Sequence, residues 1–306
     1  MSPMSRIGER PYRGDEDFAA VRSLLLAAFP ITPPGLNWEI RRWEGWRFYH
    51  ESGELITEDP IRVWETEGRV VAIVHGDGGG DPVLQVHPDF RDLEDAMFSW
   101  AESAFAGDGP ERLSTHVFDH DLARARLLRR RGWTPADDGE VSYRMRFGRG
   151  RLSSRTIDEG YTMRVIRSGD AADCDRLAAL LNDAFGRTGH TGAEFAAFAG
   201  AAPSYRDDLH LVAVAGDGSF AAHVGITYDP VNRHGIVEPV CTSRDARRRG
   251  LAHALLLDGM GRARSLGART MEVGTGRAAA ARAFYEDIGF TEIYEGRFWR
   301  WPAAAA

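Results

Sequence analysis

The sequence predicts an α/β protein of mixed α+β character, built as two tandem domains in which a mixed sheet is flanked by helices, and three observations carry that expectation. At 306 residues the chain is long for one such domain and comfortable for two. A polar stretch rich in Gly, Arg and Ser, Gly148 to Gly160, separates halves that each open on a strand-like run, at Tyr12 and at Tyr161 to Ile166. In the second half, strands joined by a hairpin come first and strands connected through helices follow, which gives a mixed sheet covered on both sides. The expected boundaries are 1–148, a linker at 149–160, and 161–306.

Taken in order, the second half reads as follows. After the opening strand a helix is expected over Ala171 to Phe185, then strands over Leu209 to Ala215 and Phe220 to Tyr228 with Gly216-Asp217-Gly218 as their turn. A strand over Ile236 to Thr242 leads through a short loop into a helix over Leu251 to Leu266. Its Ala252, Leu255, Leu256, Gly259, Ala263 and Leu266 repeat at helical spacing, and Gly267 is placed to end it. A strand over Thr270 to Val273, a helix over Arg277 to Asp287 and two strands, Phe290 to Tyr294 and Arg297 to Trp301, complete the half.

The loop is Arg247-Arg248-Arg249-Gly250-Leu251-Ala252. A strand that feeds a helix through a Gly-containing turn leaves backbone N–H groups pointing outward, with the positive end of the helix dipole behind them. Such a turn cradles an anion, best a phosphate or pyrophosphate. Gly250 lets the ligand approach the backbone, Ala252 keeps the first turn clear, and the arginines add charged donors. No Gly-Lys-Ser/Thr follows and there is only one glycine, so neither the Walker loop nor the dinucleotide fingerprint fits. An arginine-rich helix start on a solvated face would look the same in isolation.

The form Arg/Gln-x-x-Gly-x-Gly/Ala, after a strand and opening a helix, resembles the acetyl-CoA loop of the GNAT superfamily of N-acetyltransferases. Phe284-Tyr285-Glu286-Asp287-Ile288-Gly289-Phe290 resembles that family's Tyr-x-x-x-Gly-Phe segment. The resemblance implies tandem GNAT-like domains with mostly antiparallel sheets, acetyl-CoA as co-substrate, no metal, and direct attack of an amine on the thioester. Backbone amides at Val240, Cys241 and Thr242 would hold the acetyl and pantetheine portions. Arg247, Arg248, Arg249, Gly250, Leu251 and Ala252 would hold the pyrophosphate, and His253 would add a side-chain contact. Tyr285 would protonate the departing thiolate. The family's frequent Asn seven residues before that Tyr is Ala278 here, which removes one cofactor-side hydrogen bond.

An alkylammonium substrate must lose a proton before it attacks, since its pKa is near 10.4. Glu238 is the candidate base because regular alternation would put it on one face with Val240 and Thr242. Glu272 is the second choice, while His223 and His234 read as surface or hairpin residues. Cys241 reads as a small buried strand residue rather than a nucleophile, which would need an activating base.

The first half repeats the layout. Gln85 to Arg91 looks like the strand and turn before a second loop, and Arg131-Gly132-Trp133 corresponds to Ile288-Gly289-Phe290. Arg91 to Gly132 spans 41 positions and Arg247 to Gly289 spans 42, which points to an internal duplication. Glu94 stands where the second copy has Gly250, with Asp92 and Asp95 beside it, and Leu128 stands where it has Tyr285. A degenerate first copy without the acetyl-CoA loop is expected, kept for packing, dimer contacts or one wall of the acceptor site. The aromatic cluster of Trp38, Trp43 and Trp46 with Phe48 and Tyr49 reads mainly as core.

Composition sets outer limits. All 38 basic residues are arginine, so Schiff-base and Walker-lysine chemistry are excluded. Residues 1–150 carry 19 Arg against 26 Asp plus Glu and residues 151–306 carry 19 against 19, so the net charge of −7 sits wholly in the first half. An acidic half disfavours nucleic acid and fits a cationic small-molecule amine. No apolar run nears the roughly 20 residues that span a bilayer, and Met1 to Asp17 has no apolar signal core. Cys174 and Cys241 suggest neither a disulfide framework nor a zinc site. A cytoplasmic enzyme that moves an acetyl group from acetyl-CoA to a primary amine is expected, compatible with a homodimer. A CoA-binding sensor without turnover and a protein N-acetyltransferase are the alternatives.

Overall fold

The computed structural model describes residues 7–50, 59–77, 81–105, 113–150, 152 and 154–301. Arg151 and Ser153 of the expected linker, and the first six residues of the expected signal-free N-terminus, lie outside the described residues. The first series of elements is β1 (Gly8–Pro11), α1 (Asp15–Ala28), α2 (Ile40–Phe48), β2 (Arg62–Thr66), β3 (Arg69–Gly76), β4 (Pro82–Val86), α3 (Glu94–Phe105), β5 (Leu113–Phe118), α4 (Leu122–Arg130), β6 (Thr134–Pro135) and β7 (Glu140–Arg146). The second series is β8 (Tyr161–Val165), α5 (Ala171–Phe185), α6 (Gly192–Ala201), β9 (His210–Ala215), β10 (Phe220–Asp229), β11 (His234–Thr242), α7 (Leu251–Ser265), β12 (Thr270–Gly276), α8 (Ala279–Ile288) and β13 (Glu292–Trp301). From β1 to α4 and from β8 to α8 the two series follow the same order of strand and helix.

The chain forms two compact units that do not follow chain order. One holds residues 1–43, 56–141 and 294–306, the other 44–55 and 142–293. The strand that closes the first series, β7, belongs from residue 142 with the second unit. The strand that ends the chain, β13, belongs from residue 294 with the first. Both expected C-terminal strands are parts of β13, with no turn between them. Gly296 is the reason: a Cβ there would lie 2.5 Å from His116 Cε1 on β5, so the glycine admits a close neighbour rather than breaking the strand.

In the first unit β1, β2, β3 and β4 form an antiparallel sheet, and β5 pairs antiparallel with β13 from Gly296 opposite Phe118 to Trp301 opposite Leu113. Val71, Val74, Met97, Phe98, Leu128, Trp133 and Trp299 pack together as its core. In the second unit β8, β9, β10 and β11 run antiparallel, β12 joins β11 in parallel, and β7 lies beside β12. One face of this sheet packs Val212 and Cys241 against Cys174, Leu177 and Leu181 of α5. The other carries α7, which approaches so closely that a Cβ on Gly259 would lie 2.7 Å from Ile226 Cδ1.

Each unit fixes its first strand to its first helix with the same buried ion pair. Arg10 donates through Nη1 and Nη2 to both oxygens of Asp17 at 2.6 and 2.7 Å, and the Arg13 N–H adds a third bond at 2.6 Å. Arg164 does the same to Asp173 at 2.6 and 2.8 Å, with the Arg167 N–H at 3.1 Å. A buried carboxylate held by a fork and an amide is stable only with all these donors in place, so the pair fixes the helix entry angle twice over.

Candidate functional site

In the second unit β11 and β12 pair only over His234 to Ile236 and Thr270 to Glu272. Beyond those three pairs the two parallel strands carry on unpaired, leaving a wedge at their C-terminal ends, where the loop into α7 begins. On its other edge β11 is bulged: Val237 faces Ile226 and Val240 faces Val224, so Glu238 and Pro239 together oppose Gly225. Only glycine fits there, since a Cβ would meet the Glu238 carbonyl oxygen at 2.6 Å and His210 Cε1 at 2.8 Å.

The bulge changes which residues face the wedge. Cross-strand partners share a face, so Val237 stands with Val240 and Thr242, and Glu238 is taken out of the regular alternation. Its side chain is exposed, and its carboxylate makes no hydrogen bond or ion pair with the described residues. Ser243 N–H donates to Ala221 O at 2.8 Å. Two-residue periodicity therefore points the Cys241 N–H at β10 and the Val240 and Thr242 N–H groups into the wedge. Cys241 faces away on both counts: its side chain packs among Ile166, Cys174 and Leu177, and burial pushes its thiol up to about 12.

The loop itself is held from one side. Arg247 Nη2 donates to Ala184 O at 3.0 Å and Arg244 Nε to Asp183 O at 3.0 Å, so two arginines cap the C-terminal carbonyls of α5. Arg248, at φ 68°, and Gly250, at φ 74°, are both left-handed, an uncommon state for an arginine. The turn they make leaves the N–H groups of Arg248 to His253 without a hydrogen bond to any described residue; the first bond of α7 runs from Ala254 N–H to Gly250 O at 3.0 Å. No side chain caps this helix start. The Arg248 side chain has no partner among the described residues, and Arg249 Nη1 stands 3.6 Å from Asp158 Oδ2.

Tyr285 lies on α8, which reaches the first turn of α7 through His253 Nε2 and Asp287 Oδ2 at 3.1 Å. Its ring is buried beside Phe284, Phe290 and Tyr143, the last at 5.4 Å between ring centres. Burial drives its phenol well above the ordinary tyrosine value, yet the hydroxyl makes no hydrogen bond to the described residues. Sequence reasoning missed Tyr143, which precedes the expected linker and carries no motif. Gly289 and Phe290 have a local role: Phe290 N–H bonds Tyr285 O at 3.0 Å with Gly289 at φ 110°, ending the helix in a left-handed cap. Trp133 N–H bonds Leu128 O at 3.0 Å with Gly132 at φ 85°, the same cap in the first unit.

The other candidate groups are engaged in structure. Glu272 accepts from Ser142 Oγ at 2.8 Å and from Arg144, and has His234 Nε2 at 3.6 Å. These donors hold its carboxyl down to about 2 against the cost of burial, leaving a weak base. His223 and His234 are not surface residues: both are buried, His223 stacked on His210 and His234 bonded through Nδ1 to Thr270 Oγ1 at 2.8 Å. They lie on strands whose two faces are both covered, which a single sequence does not display.

The corresponding loop of the first unit is closed by its own carboxylate. Glu94 is buried and accepts from Arg91 Nε at 2.6 Å and Arg124 Nε at 3.1 Å, while Arg91 Nη2 also reaches both oxygens of Asp121. The arginines hold Glu94 below the usual carboxylate range. The Glu94 carboxylate thus occupies the donors that Arg91 and Arg124 present at this loop.

In the second unit a split parallel pair thus leads into α7, and α8 with Tyr285 packs against the start of that helix. Residues 175–290 match the family model "Acetyltransferase (GNAT) family". Solved structures extend the likeness to the whole chain. The tandem GNAT protein from the clavulanic acid biosynthesis pathway superposes with a TM-score of 0.70 at 16% identity, over 98% of this chain and 100% of that one. The GCN5-related N-acetyltransferase from Sphaerobacter thermophilus gives 0.67 at 19% identity, over 99% and 98%. A GNAT-family acetyltransferase from Colwellia psychrerythraea gives 0.59 at 14%, over 96% and 99%. No curated protein sequence matches the chain.

Proposed function

We propose that the second unit binds acetyl-CoA and transfers its acetyl group to a primary amine of a small molecule. The observation that carries this reading is the run of unbonded N–H groups from Arg248 to His253 at the mouth of a split sheet. Six adjacent donors with no acceptor suit a pyrophosphate, and the family of residues 175–290 uses an acyl-CoA donor. Acetyl-CoA supplies the activated acetyl group; the chain's part is to place it. The Val240 and Thr242 N–H groups are directed to receive the pantetheine arm in the wedge.

The chain then has two protons to manage. Glu238, unpaired at the bulge, takes the proton of the incoming ammonium, directly or through a water. Tyr285 keeps its proton at neutral pH and gives it to the departing thiolate. Orientation supplies much of the rate, since a well-placed pair of reactants gains about 7 to 11 kcal/mol. Cys241, buried and protonated, takes no part, so no acyl-enzyme forms.

The test is a free-thiol assay over a panel of primary amines with both substrates varied. Intersecting initial-rate lines, and no mass gain on enzyme incubated with acetyl-CoA alone, are expected. Parallel lines with an acetylated enzyme would contradict direct transfer. Tight donor binding with no amine turned over would favour a sensor.

A further inference from the structure

Described residues of the segment expected to be a plain linker touch α7 at both of its ends. Phe147 N–H bonds Arg269 O at 2.9 Å, and Arg264 Nη1, in the last turn of α7, bonds Gly150 O at 2.6 Å. Five residues on, Arg155 has reached the other end of that helix. A Cβ built on Gly250 would lie 2.9 Å from Arg155 Cζ and Nε and 3.0 Å from Nη2, so the guanidinium lies against the loop glycine. Asp158 beside Arg249 holds the far side, and β8 begins at Tyr161, whose ring lies 5.9 Å from the Arg249 guanidinium carbon.

We propose that Arg155 is a fourth arginine of the donor site, delivered by the linker strap to clamp the pyrophosphate of CoA against the Gly250 turn. The inference rests on the acetyl-CoA reading given above. Arg155 is exposed and makes no ion pair or hydrogen bond with the described residues. It lies against Gly250, the residue that follows Arg248 and Arg249 in the chain and stands at the positive end of α7. Like charges gathered there repel unless an anion lies among them, and a pyrophosphate supplies one to the guanidinium and the loop N–H groups at once. The glycine thereby serves two partners: its missing side chain admits the phosphate from the loop side and the guanidinium from the strap side.

Arg155→Ala and Arg155→Gln, with wild type, are titrated with CoA, dephospho-CoA and pantetheine. Loss of one charge-assisted contact weakens CoA and dephospho-CoA equally, by about ten- to thirtyfold, and leaves pantetheine unchanged. The donor KM rises with kcat unchanged. Wild-type CoA affinity retained or improved in both variants would overturn the clamp and make Arg155 a plug over the loop. A loss confined to CoA would move its contact to the 3′-phosphate and likewise overturn it. If wild type binds neither CoA nor dephospho-CoA, the donor reading falls and the clamp with it.

Discussion

Two buried acidic side chains are shifted in opposite directions by what surrounds them. Tyr285 is buried without a counter-charge, so its neutral form is favoured and it stays protonated through the range in which an amine can be freed. Tyr285→Phe is expected to lower kcat about a hundredfold with donor KM unchanged, and the wild-type rate to show no alkaline fall below pH 10. A wild-type rate in the variant would remove the proton-donor role. Glu272 is buried among donors, so its charged form is favoured and its folded value is about 2 against 4.5 ordinarily. Its contribution to stability is full above pH 4.5 and is lost as pH falls toward 2. Glu272→Gln should therefore cost about 2 to 3 kcal/mol in urea unfolding at pH 7 and much less at pH 3. An equal cost at both values would contradict the linkage.

At the scale of elements, the sequence was most legible where local chemistry acts alone. Helices were expected over 171–185 and, from its apolar spacing and Gly267, over 251–266, and the structure has them at Ala171–Phe185 and Leu251–Ser265. Two features were hidden because tertiary contacts decide them. The two strands expected at Phe290–Tyr294 and Arg297–Trp301 are joined in β13, where Gly296 is a close-approach glycine under His116, and Glu238 looked like a regular strand residue and sits in a bulge. That bulge depends on Gly225, so Gly225→Ala should force the Glu238 carbonyl aside, lowering the thermal midpoint and kcat together. Unchanged kcat in a folded variant would show that the position of Glu238 does not matter.

At the scale of the whole molecule, the repeated order of elements was readable from spacing, and the copies differ in sequence at Gly250 against Glu94 and Tyr285 against Leu128. The allocation of strands was not: β7 and β13 leave chain order, and nothing in their sequences marks the unit each one joins. For the same reason Tyr143 was missed, and the strap over Gly250 was read only as a connection. The shared caps at Leu128–Trp133 and Tyr285–Phe290, and the shared Arg–Asp pairs, show that the two copies keep the same scaffold. They differ at the loop, where one has an internal carboxylate and the other has open amides.

That difference makes the number of donor sites the most direct test. Calorimetric titration of the full chain with acetyl-CoA should give one molecule bound per chain, lost in Gly250→Glu and kept in Glu94→Gln. Two molecules per chain, or full binding by Gly250→Glu, would contradict a single working site on the Gly250 turn.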